Sequence, residues 1–288
     1  MKQNYAIVSD SAMDLPYEFL KSNKIDIIPM NYSLNEKDFL SEGPYKEKSY
    51  RKLSDQIKKC KQATTSQVTI RNAFKCFEKH LKKGKDVLAI ILSSALSGSF
   101  NSVRLAVRDL KERYPERKIY VIDSKGLGSG EGLLVWHAAK ARKENVTIEE
   151  NHSNLLKLCQ KIEQWFTVDD ITSIIKSGRL IDDKLNLNTK PIMTVDRKGK
   201  IALIYRKINR KASLRALVTC YFKYVDDLEN LVIISHFEDE DAANFIKEEI
   251  IKKNPNAKIL ISQLGPILAV HGGVGSVAVF FTSNRNEK

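Results

Sequence analysis

Long hydrophobic runs are missing from this sequence. No stretch approaches the roughly 20 apolar residues of a membrane-spanning helix. With 42% hydrophobic and 29% charged residues in 288, the chain reads as an ordinary water-facing protein. The first residues enter an apolar strand pattern at once, without a signal peptide's apolar region and small-residue cleavage site, so the expected location is the cytoplasm. Cysteine is scarce. Cys60, Cys76, Cys159 and Cys220 form no C-x-x-C pair and have no histidine-rich neighbourhood, which speaks against a disulfide framework and a zinc site. Nucleotide motifs are absent as well: there is no G-x-x-x-x-G-K-[ST], and no G-x-G-x-x-G follows the first strand. A G-x-S-x-G elbow around Ser97 fails because Ala95 and Ser99 stand where its glycines belong.

Acidic charge is in the minority. Forty-eight Lys and Arg against 35 Asp and Glu leave +13, spread largely as single lysines and densest at residues 58–61, 82–85 and 206–215. No basic stripe with interleaved aromatics appears, so nucleic acid is not an expected partner. A transient contact with an anionic membrane surface or an acidic protein stays open.

What is present centres on Ile91-Leu92-Ser93-Ser94-Ala95-Leu96-Ser97-Gly98-Ser99-Phe100-Asn101. The apolar run 87–92 reads as a strand buried on both faces. Residues 101–113 have helical spacing, so the serines fall where a strand hands over to a helix N-terminus, a place that favours an anion. The plain alternative is a set of serine helix caps.

The first half alternates strands (5–9, 25–30 interrupted by Pro29, 87–92, 119–122) with helices (15–22, 71–83, 101–113, 133–142); residues 35–48 read as polar and irregular. Such alternation implies a mostly parallel sheet covered on both faces. The second half reads as a helix over 153–165, a hairpin of 191–195 with 201–205, then helix 212–224, strand 231–236, helix 240–253 and strands 258–263 and 276–282. The expected fold is α/β with two domains. Residues 1–160 form an N-terminal domain with a mostly parallel sheet and helices on both faces, and residues 161–288 a smaller α+β domain with a mixed sheet.

Four hydroxyl- or glycine-rich loops of the first half lie where strands end: Asp10-Ser11, residues 64–67, residues 93–99, and Asp123-Ser124 with residues 126–132. The carboxyl ends of parallel strands share one side, so several of these converge on one crevice. A glycine-rich loop with one histidine, residues 265–275, completes the set. Asp10, Asp14 and Asp123 could pass for paired carboxylates or magnesium ligands; Asp10 and Asp123 read as loop-orienting groups in preference to metal ligands, and no cofactor or metal is expected. His236 reads as structural, and Trp136 and Trp165 as packing anchors.

Taken in order, these segments resemble the DegV family of fatty-acid-binding proteins, which includes the acyl-binding subunits of bacterial fatty acid kinases. Residues 7–16 look like its opening strand, Thr65-Ser66-Gln67 its T-S-Q-P signature, and residues 93–99 its S-S-x-L-S-G-T loop. Residues 121–124 with 130–132, Ser177-Gly178-Arg179-Leu180, Lys190-Pro191-Ile192 and His271 with its glycines extend the match along nearly the whole chain. The resemblance implies that Thr65 and Ser97 hold a fatty-acid carboxylate, with Ser66, Gly98 and His271 at the same mouth and the tail between the domains. It also implies presentation of that carboxylate to a separate ATP-dependent kinase that makes acyl-phosphate for phospholipid synthesis, with no catalysis by this chain alone. Val68 replaces the family's proline, His271-Gly272-Gly273-Val274-Gly275 lacks another, and residues 179–191 run shorter than the pattern. The family's arginine after the hairpin falls to Arg206 ahead of Arg210, for positioning the partner or the phosphoryl group. Two other readings stand beside this one: an acyl-ester hydrolase using Ser97 and His271, for which no orienting acid is evident, and a lipid-responsive regulatory protein.

Overall fold

The computed structural model describes residues 4–43, 47–180, 188–226 and 231–283. The family comparison of loop length between Arg179 and Pro191 falls largely on residues 181–187, outside the described residues.

The chain opens with β1 (Tyr5–Asp10), α1 (Tyr17–Ser22) and β2 (Ile25–Ile28). A small unit follows: β3 (Met30–Leu34), β4 (Lys37–Ser41), α2 (Glu47–Lys59) and β5 (Ala63–Ser66). Then come α3 (Ile70–Leu81), β6 (Asp86–Ile91), α4 (Ser99–Arg113), β7 (Ile119–Asp123), α5 (Ser129–Lys143) and α6 (Ile148–Cys159). The second half holds β8 (Ile162–Thr167), α7 (Thr172–Lys176), β9 (Lys190–Val195), β10 (Ile201–Lys207), α8 (Arg210–Tyr224), β11 (Leu231–His236), α9 (Glu240–Lys253), β12 (Lys258–Gln263), α10 (Pro266–Gly272) and β13 (Val277–Thr282).

The first sheet has the order β2-β1-β6-β7 and is parallel throughout. β1 is buried along its whole length and β6 nearly so, which is why both read as continuous apolar runs. The second large sheet, β10-β9-β8-β13-β11-β12, is mixed: only β11 and β12 run parallel. The fold is thus α/β with a parallel sheet in the first half and a mixed sheet in the second. A small antiparallel sheet, β4-β3-β5, stands apart from both.

The structure corrects several local expectations. Residues 37–41, within the stretch expected to be irregular, form a strand, and α2 begins at Glu47. β3 and β4 form a hairpin closed by Asn35 and Glu36, both at positive φ, the geometry of a two-residue turn that usually carries glycine. Pro29 does not interrupt one strand but separates two, β2 in the parallel sheet and β3 in the small one. The helix expected over 153–165 stops at Cys159, and residues 162–167 are a central strand. The polar Glu163 and Gln164 masked its character, and both are satisfied. Gln164 Oε1 accepts from Leu127 N at 3.0 Å, while Glu163 accepts from Trp165 Nε1 at 2.8 Å and Arg197 Nη2 at 3.1 Å. The glycine-rich segment around His271 is a short helix, started by Pro266 at its first turn and ended by Gly273 at φ 72°, the usual proline-in, glycine-out pairing.

One apolar core spans both halves, joining Ile7, Phe77 and Leu88 to Phe166, Ile267 and Phe280; a second lies beneath α8 and α9 around Leu217, Tyr221, Ile246 and Phe281. Polar links stitch the halves. Ser129 Oγ donates to Asp14 O at 2.6 Å and lies 2.8 Å from Ser235 Oγ, and Gly265 N donates to Asp14 Oδ1 at 2.8 Å. Asp10 accepts from Ala12 N at 2.9 Å and Leu92 N at 3.0 Å, so it orients loops. Among the described residues no cluster of His, Cys, Asp and Glu fits a metal ion.

Asp10, Asp14 and Glu131 are buried carboxyls. Burial pushes Asp10 up to about 6 against the pull of the Leu92 and Ala12 amides. Asp14 and Glu131 stand well above the carboxylate range, through burial first and then through the charge of Asp10, with Asp14 adding to Glu131. Such groups favour the folded state less as pH climbs, because the unfolded chain ionises them freely. Glu131→Gln should therefore raise the melting temperature at pH 8, and the gain should shrink toward pH 5. A gain that is the same at both values contradicts this account.

Candidate functional site

The site is built from the head outward. Strand pairing with β3 places Thr65 opposite Tyr32. Alternation turns Thr65 inward and leaves Thr64 and Ser66 exposed. Thr65 Oγ1 lies 2.8 Å from His271 Nε2 at the end of α10, across the join between halves. Burial holds His271 at about 4, below the ordinary imidazole value, with repulsion from the Arg179 guanidinium as the second cause. The ring is thus neutral at neutral pH. When Nε2 carries the proton it donates to Thr65, whose own hydroxyl proton is then free to point at a ligand.

Ser97 sits in the turn before α4. Its Oγ accepts from Ser99 N at 3.2 Å and lies 2.9 Å from Ser99 Oγ, which in turn accepts from Val68 N at 3.0 Å. The position occupied by Val68, proline in the family signature, thus supplies an amide that anchors the turn. With Ser99 donating to Ser97, the Ser97 proton is left for the cavity. Gly98 is exposed, does not line the cavity, and caps α4 where any Cβ would collide with Gln67 Oε1. Gln67 Nε2 donates to Ser102 Oγ at 2.9 Å, so Gly98→Ala should displace Gln67 and loosen the serine turn. The expected result is about a tenfold loss of ligand affinity, the scale of one hydrogen bond, with a small change in melting temperature; unchanged affinity contradicts it.

A cavity opens beside these groups, lined by Thr65, Gln67, Ser97 and His271 at its polar end and by Met30, Leu92, Leu127, Phe166, Ile174, Leu264 and Ala278 along its walls. It holds about 820 Å³ free of protein atoms, part of it open to solvent. Both halves of the chain supply its walls.

Arg179, quoted above only as part of a sequence signature, lines this cavity as well. Its Nε donates to Leu96 O at 3.1 Å, tying the segment after α7 to the serine turn. Burial lowers its basicity, and among the described residues no carboxylate is within ion-pair distance of it. A partly desolvated guanidinium without a counter-ion favours an anionic ligand. Arg206 is placed elsewhere: it lies on β10, outside the cavity lining, with Nη1 3.5 Å from Thr189 Oγ1. Arg210 does not line the cavity either. It pairs with Asp239 and donates to Gly275 O at 2.6 Å, bracing the turn after His271. In the sequence Arg179 stands only as a cation after a glycine in Ser177-Gly178-Arg179-Leu180, a pattern that by itself does not point to the mouth.

Asp123 accepts from Ser94 N at 3.1 Å and Lys125 Nζ at 2.6 Å and orients the loop. His236 accepts from Asp239 N at 3.3 Å. Trp136 stacks on Phe19 at 4.3 Å and Trp165 on Tyr224 at 5.6 Å. No described helix is long and apolar enough to cross a membrane.

Fold and site together define a two-part α/β protein with an apolar cavity between its halves and a cationic, hydroxyl-lined mouth. The chain belongs to the DegV family: the model for uncharacterised proteins of that family matches residues 4–284. A DegV domain-containing protein of Clostridium perfringens is 30% identical over 293 residues, covering 99% of each chain. Among solved structures, a stearic acid-binding protein from Eubacterium ventriosum superposes with a TM-score of 0.84 at 25% identity, covering 96% of this chain and 98% of that one. The Streptococcus pneumoniae Fatty Acid Kinase B3 protein, loaded with linoleic acid, gives 0.85 at 19% identity, with 98% and 100% covered.

Proposed function

We propose that this protein binds one long-chain fatty acid, with the carboxylate at Thr65, Ser97 and Arg179 and the tail in the apolar bore, and presents that carboxylate to a separate ATP-dependent kinase. The observation that carries this reading is Arg179, without a carboxylate partner among the described residues, beside two hydroxyls at the mouth of an otherwise apolar cavity. A buried carboxylate needs donors in place of its water, and these groups supply them. Each methylene drawn out of water adds about 0.8 kcal/mol, so the tail dominates affinity and the mouth fixes orientation. The solved relatives that hold stearic and linoleic acid support the ligand class, and the kinase B3 protein supports the partner.

In this reading His271 holds Thr65 and stays neutral, and the chain performs no reaction alone. The geometry does not favour the hydrolase: Ser97 is bonded to Ser99, and His271 to Thr65. Incubation of the loaded protein with a purified fatty acid kinase and ATP should give acyl-phosphate, trapped as the hydroxamate. Binding of fatty acid without any acyl-phosphate would favour the regulatory reading instead. Ester hydrolysis abolished by Ser97→Ala would favour the enzyme.

A further inference from the structure

Between Asp196 and Asp226 the chain carries nine basic residues and no acidic one. Arg197 pairs with Glu163, and Arg210 with Asp169 and Asp239. Lys207, Lys211 and Arg215 have no carboxylate within ion-pair distance among the described residues. Glu249 of α9, which Arg215 faces, is already bonded to Lys252 at 2.6 Å. These three cations line a groove between the end of β10 and the outer face of α8, floored by Ala212, Ala216 and Thr219. Between Lys207 and Asn209, both of which line the groove, the chain carries Ile208, 80% exposed, the most exposed large apolar side chain described, with Ile204 nearby in sequence at 48%.

We propose that this groove is the docking surface for the kinase partner, and that it receives an acidic segment of that protein together with an apolar socket for Ile208. The inference rests on the kinase reading above and adds where the partner sits. Charge complementarity selects the occupant. A second copy would bring three uncompensated cations against three more, and β10, the outermost strand of its sheet, carries Arg206 and Lys207 against edge-to-edge pairing. A bilayer is served poorly by a concave groove with one prominent aliphatic side chain and no exposed aromatic belt. The position suits the task as well. Arg210, the first residue of α8, holds Gly275 O, so the groove begins on the helix that braces the His271 turn beside the cavity mouth.

The test compares the wild type with Lys207→Glu/Lys211→Glu/Arg215→Glu, with Ile208→Ala, and with a control of equal charge change on and after α2, Lys58→Glu/Lys59→Glu/Lys61→Glu. Each is loaded with oleate and titrated against the kinase. The groove triple should raise the kinase's KM for the loaded carrier by about tenfold or more, leaving kcat and extracted oleate unchanged, because complementary surface charge acts on encounter and register. Ile208→Ala should raise KM severalfold, and added salt should weaken the wild type but not the triple. The control should match the wild type. Equal KM for the triple and the control overturns the docking surface while leaving the kinase reading intact. Loss of binding to phosphatidylglycerol vesicles in the triple, with KM unchanged, overturns it in favour of a membrane surface. A wild type that carries oleate and is never phosphorylated sinks the kinase reading, and this surface with it.

Discussion

Thr65→Ala combined with Ser97→Ala is expected to weaken fatty-acid binding by about a hundredfold or more. A hydrogen bond to a charged group contributes about 1.5–3 kcal/mol. Two lost at one carboxylate come to about 3–6 kcal/mol, and each 1.4 kcal/mol is a factor of ten. The loss exceeds that of either single change, because Arg179 and the remaining hydroxyl still hold the head in each. Titration of delipidated protein with a fluorescent fatty acid checks it. The fold should survive, since neither hydroxyl supports the core: Thr65 reaches only His271, and Ser97 only its own turn. Affinity within threefold of wild type would contradict the assignment of the mouth.

Protonation of His271 gives the second large effect. The unfolded chain protonates this ring near 6.5, the folded one only near 4, because burial and then Arg179 oppose the charge. Between those values the unfolded state binds more protons, so stability is lost as pH falls from about 6.5 to about 4. The full loss is on the order of 3 kcal/mol. Asp10 acts with the opposite sign over much of the same window, since its folded value near 6 exceeds the unfolded one. The informative quantity is therefore the difference between wild type and His271→Gln. The variant should gain on the wild type by about 2–3 kcal/mol between pH 7 and pH 4 in urea unfolding. Arg179→Gln should shrink the wild-type loss and end it at a higher pH, because the folded ring then protonates closer to its unfolded value. A bound carboxylate should do the same, since an anion beside the ring favours its cation. An offset between the curves that ignores pH contradicts the buried, neutral histidine.

Parts of this were legible from residue order alone. β6 followed by α4 was readable because a strand buried on both faces is apolar without a break and the helix behind it carries its own stripe. The serine turn and Thr65 follow from chemistry concentrated in short segments. Other parts depend on contacts far apart in sequence. Glu163 and Gln164 disguise β8 because their partners, Arg197 and Leu127, come from other elements. The hairpin of β3 and β4 hides behind Asn35-Glu36, which adopt a glycine-like turn without glycine. Arg179 reaches the mouth only because its loop crosses to Leu96, a pairing 83 residues apart that no local pattern carries. Arg206 follows the hairpin, as the resemblance implies, and lies on β10 outside the cavity lining, near Thr189.

The most direct measurement is organic extraction of the purified protein, followed by mass spectrometry and quantitation against protein. About one long-chain fatty acid per chain is expected from the wild type, and far less from Leu268→Trp, where an indole from the cavity wall would fill the bore. A wild type that extracts clean, and that neither takes up added oleate nor changes its melting temperature with it, would contradict the account.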